Sequence, residues 1–242
     1  MQKKLILDNF HAFIKVVCND FPYSDGMGAS SGDNFSLSVD SLGENKKFKE
    51  IFFSVFADIV DQHGKIRSPY FSKDGEGFLN QAFLDHYLIL CYRVANRLFQ
   101  EDILLPIADA IYYSCRIRTS TDLFYRAKID EFFIPVHPLG AVIDSKSTYG
   151  LGLRIYNGVH IGPYDIYGKE PSEWEHPELG DGVIVLGHAK VYGNSVIGDN
   201  VVISVNSIVI NEKIPNNCIV MGASPDIKLI PNMNDNLSIL HN

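Results

Sequence analysis

The stretch LGDGVIVLGHAKVYGNSVIGDNVVISVNSIV, residues 179–209, repeats its pattern of side chains every six residues. An aliphatic residue opens each unit, and the fifth residue of each unit is small or slender. Such a run arises by chance with a frequency of roughly 1 in 500 when any of the six phases is allowed. The opening positions are Leu179, Val185, Val191, Ile197, Ile203 and Val209, and the fifth positions are Val183, Ala189, Ser195, Val201 and Ser207.

A period of six residues fits neither an α-helix, which repeats at 3.6, nor a plain strand, whose side chains alternate. It fits short strands separated by tight turns, three of which wrap one triangular coil. The aliphatic residues then fill the interior, and the slender residues occupy the crowded corners. Because a single coil cannot bury its own face, the coils must stack, and the pattern predicts a parallel β-helix.

Less regular copies of the unit lie upstream. IYNGVH at Ile155 and IGPYDI at Ile161 fit the pattern, and VHPLGA at Val136 also fits, with the phase slipping near Thr148. The polar and aromatic stretch PYDIYGKEPSEWEHPE then interrupts the repeat. We interpret residues 162–178 as a loop that leaves the coil, and insertions of this kind usually lie on the binding face of a solenoid.

Residues 1–130 look α-helical, because apolar residues recur there at helical spacing and Pro106 suits the first turn of a helix. A shorter segment, DLFYRAKIDEFF, continues this half up to Pro135. The predicted fold is therefore α+β, with a helical domain over 1–130, a β-helix over 131–231 and a tail over 232–242. The helical segments are LDNFHAFIKVVCNDF, KKFKEIFFSVFADIVDQ, FLNQAFLDHYLILCYRVANRLFQ and LPIADAIYYSCRI.

The composition is that of an ordinary globular chain, with 242 residues, 46% hydrophobic and 21% charged. The net charge of -8 argues against a nucleic-acid binder and against an anionic-membrane binder. No segment reaches the roughly 20 apolar residues of a membrane span, and none has the form of a signal peptide, so we expect a cytoplasmic protein. The 4 cysteines have no metal or redox spacing, and we expect buried, reduced thiols.

Short motifs for other chemistries fail on their context. Gly28–Gly32 reads G-x-S-x-G, but its flanks are typical of a loop rather than of the strand and helix that a nucleophile elbow requires. Gly150-x-Gly152 lacks the third glycine of a dinucleotide fingerprint, since Ile155 holds that place. No His, Cys or Asp cluster has the spacing of metal ligands, and we expect no metal.

The sequence resembles the serine acetyltransferase branch of the hexapeptide-repeat acyltransferases. The run from His176 through Val209 resembles that family's loop ending in His-Pro and its following coils. VHP at 136–138 resembles the entry to the first coil, FLDHYLILCYRVANRLFQ the last long helix before it, and GASPDIKLI the closing segment. The resemblance implies a left-handed β-helix, acetyl-CoA as co-substrate, and a homotrimer or dimer of trimers with active sites between neighbouring β-helices.

Acetyl transfer to a hydroxyl requires a general base, and histidine suits that role because its pKa lies near neutrality. The resemblance places the family's catalytic histidine at Ile155 or Asn157, so another histidine must act. We consider His176, in the loop and beside Glu175, which would orient it, and His160, just before the loop. His188 is a weaker candidate, and His137 is interpreted as structural.

The remaining site residues concern the acceptor and the cofactor. Glu175 stands where the resemblance implies an arginine that holds a serine carboxylate, so we expect a sugar or polysaccharide hydroxyl rather than free serine as the acceptor. Aromatic faces of the loop would stack on sugar rings. The candidates for acceptor binding are Trp174, Tyr164, Asn157 and Arg154, and Tyr167 belongs to the same loop; the candidates for cofactor binding are Gly162, Gly187, Ala189, Ser204, Asn206 and Lys228.

Two alternatives stay open from the sequence. One is a serine O-acetyltransferase with a rearranged site. The other is a non-catalytic scaffold or regulatory homologue, which the substituted catalytic positions and the bulky triplet Ser204–Asn206 favour.

Overall fold

Two unlike regions follow one another along the chain, and the computed structural model describes residues 2–20, 38–165, 168 and 170–240. In the part of the first region that the structure describes there are five α-helices and a small antiparallel hairpin. The helices are α1 (Gln2–Asp20), α2 (Val39–Glu44), α3 (Lys46–Gly64), α4 (Leu84–Gln100) and α5 (Leu105–Thr119), and the hairpin joins β1 (Ser72–Lys73) to β2 (Glu76–Gly77).

Local sequence explains where these helices begin and what they bury. The side chain of Asn45 caps α3 by accepting a hydrogen bond from the backbone N–H of Phe48, at 2.9 Å. Pro106 lies in the first turn of α5, as predicted. The apolar faces meet in a core rich in phenylalanine, which includes Phe10, Phe13 and Phe52. None of the helices among the described residues has the length and hydropathy that crossing a bilayer requires.

The second region is a parallel β-solenoid of about five turns, whose strands form three sheets. The first sheet stacks β3 (Asp122–Leu123), β6 (Val142–Ile143), β9 (His160–Gly162), β12 (Lys190–Tyr192) and β15 (Ile208–Ile210). The second stacks β4 (Lys128–Ile129), β7 (Thr148–Tyr149), β10 (Glu178–Leu179), β13 (Val196–Ile197) and β16 (Lys213–Ile214). The third stacks β5 (Ile134–Val136), β8 (Arg154–Tyr156), β11 (Ile184–Val185), β14 (Val202–Ile203) and β17 (Cys218–Met221), and β18 (Lys228–Pro231) closes it in antiparallel pairing.

The six-residue pattern describes the interior of the solenoid. Every opening and fifth position predicted between residues 179 and 209 is buried. The register stacks the aliphatic residues in columns, so that Ile155 pairs with Val185 and Val185 with Ile203 on the third sheet. The prediction of fold is confirmed.

Two details of the phase differ from the prediction. Pro135, not Val136, pairs with Ile155 and is buried, whereas Val136 is only partly buried, so the unit at Val136 was placed one residue late. The phase breaks after Pro135 rather than near Thr148, because the next buried residues in the series are Ile143 and Tyr149. Extra residues at the turn after β5 therefore disturb the repeat.

The solenoid also begins earlier than its sequence pattern indicated. The α-helices end at Thr119 and parallel pairing starts at Asp122, so residues 122–130 form strands and not part of the helical region. Leu123 and Ile129 open units of six, and Ala127 is a fully buried fifth position. The aromatic residues between them, Phe124 and Tyr125, obscured the repeat.

The end of the chain crosses back over the solenoid. We name residues 232–240 the C-terminal strap. Its Leu237 packs close to Gly152 and Gly182, where an added Cβ would lie 2.5 and 3.2 Å from the leucine side chain. The backbone N–H of Arg67 donates to the carbonyl of Ile239 at 2.7 Å. The strap therefore joins the solenoid to the segment that follows α3.

Candidate functional site

A cavity of about 250 Å³ lies where the helical region meets the third sheet of the solenoid. Side chains from the segment after α3, from the first turn of α4, from β5 and β8, and from the strap line it. The polar residues among them are Ser68, Tyr70, Asp85, His137, Arg154 and Tyr156, and the apolar ones are Phe71, Ile134, Val136 and Ile239.

His137 follows β5 in a backbone conformation that few residues other than glycine adopt, with φ at 47°. His188, Asn200 and Asn206 adopt the same conformation at other turns of the solenoid, so at His137 it marks a tight turn of the chain. The backbone N–H of His137 donates to Asp85 Oδ1 at 3.2 Å, across 52 residues of sequence. This contact fixes the turn of the solenoid against the start of α4.

Asp85 is a partly buried carboxyl group. Burial raises its pKa above the ordinary value, and the nearby charge and backbone N–H of His137 oppose that rise. The hydrogen bond from His137 to Asp85 comes from the backbone and not from the ring, but a carboxylate this close also favours the protonated imidazole electrostatically, which suits general-base chemistry.

Arg154 and Tyr156 reach the same cavity from β8, the strand that pairs with β5. The Arg154 guanidinium donates one long hydrogen bond, from Nη2 to the carbonyl of Asn236 at 3.4 Å. Its Nε is buried and has no hydrogen-bond partner within the described part of the chain. The cavity thus joins a carboxyl group, an imidazole and a guanidinium whose donors are mostly unused.

A second histidine–carboxylate pair lies at another corner of the solenoid. His176 Nδ1 is 2.8 Å from Asp144 Oδ2, and both side chains are largely buried. The same carboxylate oxygen accepts hydrogen bonds from the backbone N–H of Lys146 and from the backbone N–H and hydroxyl of Ser147. Because Asp144 is an acceptor, it holds the His176 proton on Nδ1 and leaves Nε2 as the basic nitrogen.

Glu175 does not hold His176 in place as the sequence suggested. Its Oε1 accepts a hydrogen bond from Asn194 Nδ2 at 3.3 Å, and Asp144 takes the orienting position instead.

His160 lies apart from both pairs, on the first sheet. Its Nδ1 is 3.3 Å from the hydroxyl of Tyr192, and it pairs in register with Val142 and Lys190. Burial lowers the pKa of His160, and the neighbouring Lys190 charge lowers it further. No carboxylate orients this imidazole within the described residues, so His160 is the less suited of the two predicted bases.

The predicted acceptor residues are dispersed. Tyr164 is exposed, with its ring centroid 6.3 Å from that of Tyr192, and Trp174 follows a 3₁₀ turn at Pro171–Glu173. Asn157 Nδ2 lies 3.0 Å from His188 Nε2. Arg154 alone among the four lines the cavity. Tyr167 and the G-x-S-x-G stretch lie outside the described residues.

Four of the predicted cofactor residues follow one corner of the solenoid, which we name the His137 corner. It is the turn from the third sheet to the first in each coil, and backbone hydrogen bonds join its levels from Leu139 to Gly158, from Asn157 to His188 and from Gly187 to Asn206. Gly187, Ser204 and Asn206 lie on its outer side. Ala189 points inward and is fully buried, so its side chain cannot contact a ligand.

The remaining two predicted cofactor residues lie elsewhere. Gly162 ends β9 beside the loop, and Lys228 is exposed on β18, opposite Met221. As for metals, no group of three or more His, Cys, Asp or Glu side chains gathers within the described ranges.

Sequence reasoning missed the pairing of Asp85 with His137. The resemblance directs attention to the loop, and His137, in the His-Pro of the first coil, is interpreted as structural. One signal was present: the repeat breaks at this turn, and an interruption of a regular solenoid often marks a functional segment.

Comparison with known proteins gives the family. No protein-family model matches the sequence. The serine acetyltransferase of Helicobacter pylori (strain ATCC 700392 / 26695) is 33% identical to it over 126 residues, 52% of this chain and 71% of that protein. The chain belongs to the serine acetyltransferase family.

Other members of the serine acetyltransferase family match a similar share of the chain. The serine acetyltransferase of Synechococcus elongatus is 33% identical over 135 residues, 55% of this chain and 52% of that protein. The match to the Staphylococcus aureus (strain Mu50 / ATCC 700699) protein covers 61% of that relative. The chain thus spans only about half to three-fifths of the length of these two relatives.

Solved structures share the fold over most of the chain. Neisseria gonorrhoeae serine acetyltransferase in complex with serine superposes with a TM-score of 0.64 at 20% identity, covering 91% of this chain and 83% of that one. A serine acetyltransferase in complex with CoA gives a TM-score of 0.62 at 19% identity, covering 90% and 83%. At this level of identity the similarity shows the fold alone.

Proposed function

We propose that this protein is an acetyl-CoA-dependent O-acetyltransferase whose acceptor is the side-chain hydroxyl of serine. The observation that carries the proposal is the cavity of about 250 Å³ in which His137, Asp85 and Arg154 meet. Family membership supports the reaction type, and relatives in the family are named for serine.

The size of the cavity favours serine over the sugar expected from the sequence. Ligand pockets for drug-sized molecules measure about 300–1,000 Å³, and this one lies below that range. A free amino acid fits such a volume, whereas a polysaccharide requires an open groove. The aromatic residues that suggested sugar stacking, Tyr164 and Trp174, do not line the cavity.

In the proposed reaction, His137 acts as the general base. The imidazole takes the proton of the acceptor hydroxyl while the oxygen attacks the thioester carbonyl carbon. Asp85 stabilises the protonated imidazole. Histidine then returns the proton to the departing sulfur, so that the products are an O-acetyl ester and the free thiol. Acetyl-CoA, when bound, supplies the acetyl group and the leaving thiolate.

The His137 corner is where we place the cofactor. It begins at the proposed base and continues through Gly187 and Asn206 on successive coils, so an extended ligand along it would reach the cavity at one end. Val205, which is 56% exposed, provides apolar surface on the same corner. The solved family member that binds CoA supports a CoA site in this fold.

His176 is a residue of the loop in this proposal, and it is not the general base. It lies at a different corner from the cavity within one chain. The resemblance to a family with sites between neighbouring β-helices makes a homotrimer, or a dimer of trimers, the assembly we propose.

The test is release of free thiol from acetyl-CoA by the purified protein, measured against serine, nucleotide sugars and polysaccharide fragments. We expect turnover with serine and at most background with the sugars. Replacing His137 by alanine should lower kcat by at least 10²-fold, as removal of a general base does. The control is His11→Ala, an exposed histidine of α1 that does not line the cavity.

The same experiment decides between this function and its alternatives. Turnover with a sugar and not with serine would restore the acceptor expected from the sequence. No thiol release with any acceptor, together with no thermal stabilisation by acetyl-CoA, would favour a non-catalytic scaffold. Equal activity of the His137 and His11 variants would remove His137 from the mechanism.

A further inference from the structure

We propose that Arg154 binds the carboxylate of the acceptor and sets the specificity of the site for an α-amino acid. The inference rests on the proposed function and deepens it. It makes Arg154 a specificity-determining residue that belongs to the same chain as the base, and it assigns the loop no part in carboxylate recognition.

The first argument is the unused hydrogen-bonding capacity of Arg154. A guanidinium carries five N–H donors, which normally find acceptors when the group is half-buried. Here one donor makes a single bond of 3.4 Å to the carbonyl of Asn236, and Nε has no partner. No carboxylate lies within ion-pair distance of Arg154 among the described residues.

The second argument is the charge pattern of the cavity. Arg154 supplies a positive charge and Asp85 a negative one, yet the two do not pair with each other. An amino acid acceptor carries a carboxylate and an ammonium group, which complement these two charges. Its hydroxyl would then be presented to His137, the third polar group of the same cavity. A neutral alcohol would bring no opposite charge to either Arg154 or Asp85, at a cost in desolvation.

The third argument is how Arg154 is held. It lies on β8, and its backbone pairs with Ile134 of β5, three residues before His137. The C-terminal strap supplies the carbonyl of Asn236, and Ile239 of the strap lines the same cavity. A carboxylate that pairs with arginine in two parallel bonds requires this kind of fixed orientation. The strap is therefore a positioning segment for Arg154.

The test compares serine with serinamide, which keeps the ammonium and hydroxyl groups and lacks the carboxylate. For the wild type we expect kcat/KM for serine to exceed that for serinamide by at least 10-fold. Arg154→Gln should lower kcat/KM for serine by about 10²-fold, mainly through KM, and change the value for serinamide by less than threefold. Arg154→Lys keeps the positive charge but cannot form two parallel hydrogen bonds to a carboxylate. Its kcat/KM for serine should lie between that of the wild type and that of Arg154→Gln.

The ratio of the two acceptors is measured on one protein sample, so a partly unfolded variant does not distort it. Equal loss with both acceptors, or an unchanged preference in Arg154→Gln, would overturn the inference. Serine binding followed by thermal shift provides a readout without catalysis. If no thiol is released with any acceptor but serine still stabilises the wild type and not Arg154→Gln, the proposed function fails while the inference stands. If serine stabilises both proteins equally, the inference fails.

Discussion

Two histidine–carboxylate pairs of this molecule differ in how fully their polar atoms are used. At the loop corner, one oxygen of Asp144 accepts four hydrogen bonds, three of them from residues 146 and 147 and one from His176. In the cavity, Asp85 accepts one backbone N–H from His137, and the neighbouring Arg154 has most of its donors free. The first pair is complete without a ligand, whereas the second has capacity left for one.

Of the two pairs, we regard the one in the cavity as reactive, because its polar atoms can still bind a ligand. A carboxylate whose acceptor atoms are already used stabilises local structure and gains little from a ligand, while a desolvated carboxyl in one cavity with a sparsely bonded arginine is poised to bind. The short distance between His176 and Asp144 is therefore weaker evidence for catalysis than the loose arrangement around His137.

The largest effect is expected at acid pH, from a third histidine arrangement that has no carboxylate. His63 and His86 are buried with ring centroids 4.7 Å apart, and the Nε2 atom of each has no partner in the described structure. Burial lowers the pKa of His63 to about 4, and burial together with the His63 charge lowers that of His86 to about 4.

Both histidines thus bind protons more weakly in the folded protein than in the unfolded chain, where the pKa of histidine is about 6.5. The free energy of unfolding should be unaffected above pH 7 and should fall between pH 6.5 and pH 4. The loss at pH 5 should be about 2 kcal/mol for each histidine. Denaturant unfolding at several pH values across this range measures the loss. In His86→Gln, where residue 86 cannot titrate, the free energy of unfolding should fall about half as steeply with pH. A flat profile in the wild type would mean that the pair is already protonated or solvated.

The second prediction compares the two carboxylates directly. Asp85→Asn removes the charge that stabilises protonated His137 and should lower kcat by about 10²-fold, equivalent to about 2.7 kcal/mol. Asp144→Asn is the matched variant at the loop corner and should lower kcat by less than fivefold. Steady-state thiol release on both proteins, with melting temperatures as a check of folding, measures the difference. The reverse order of effects would move the base from His137 to His176.

The sequence predicts the solenoid well for a physical reason. Each coil repeats the same packing problem, so residues such as Val185 and Ile203, which occupy one column, must be alike. Register, burial and coil number follow from that repetition. Even the strands at residues 122–130 obey it once Leu123, Ala127 and Ile129 are aligned by their spacing.

The site is not repeated, and so periodicity says nothing about it. Asp85 and His137 meet only because the start of α4 packs against the turn after β5, and 52 residues separate them. His176 is among the histidines that the sequence singles out, but its partner Asp144 lies 32 residues away and was assigned no role. Contacts between elements that differ in type leave no local pattern, and only the break in the repeat at His137 indicated that this turn is unusual.

The third prediction probes the His137 corner. Gly140 and Gly158 both have positive φ, at 71° and 63°. A Cβ at Gly158 would lie 2.3 Å from the His188 ring, whereas one at Gly140 meets only a backbone atom at 4.0 Å. Gly158→Ala should cost about 2 kcal/mol of unfolding free energy and Gly140→Ala about 1 kcal/mol. Equal losses in chemical denaturation would show that the His188 ring moves aside freely.

The smallest effect is expected at the loop corner, where two serines occupy equivalent inward positions. Ser147 donates its hydroxyl to Asp144 at 2.9 Å, and Ser195 donates to the carbonyl of Tyr192 at 2.7 Å. Alanine fits the slender fifth position, so each substitution should remove one hydrogen bond and cost about 1 kcal/mol.

The two serine variants should differ only in what happens to His176. In Ser147→Ala the Asp144 carboxylate keeps the N–H donors of residues 146 and 147, so it should draw more strongly on the His176 proton, and the ¹⁵N resonances of that imidazole should shift. In Ser195→Ala they should stay unchanged. Because His137 is the proposed base, neither variant should change kcat by more than threefold. A large loss of kcat in Ser147→Ala alone would mean that the Asp144 carboxylate takes part in catalysis although its hydrogen bonds are all made. The number of unused hydrogen bonds would then no longer identify the reactive histidine.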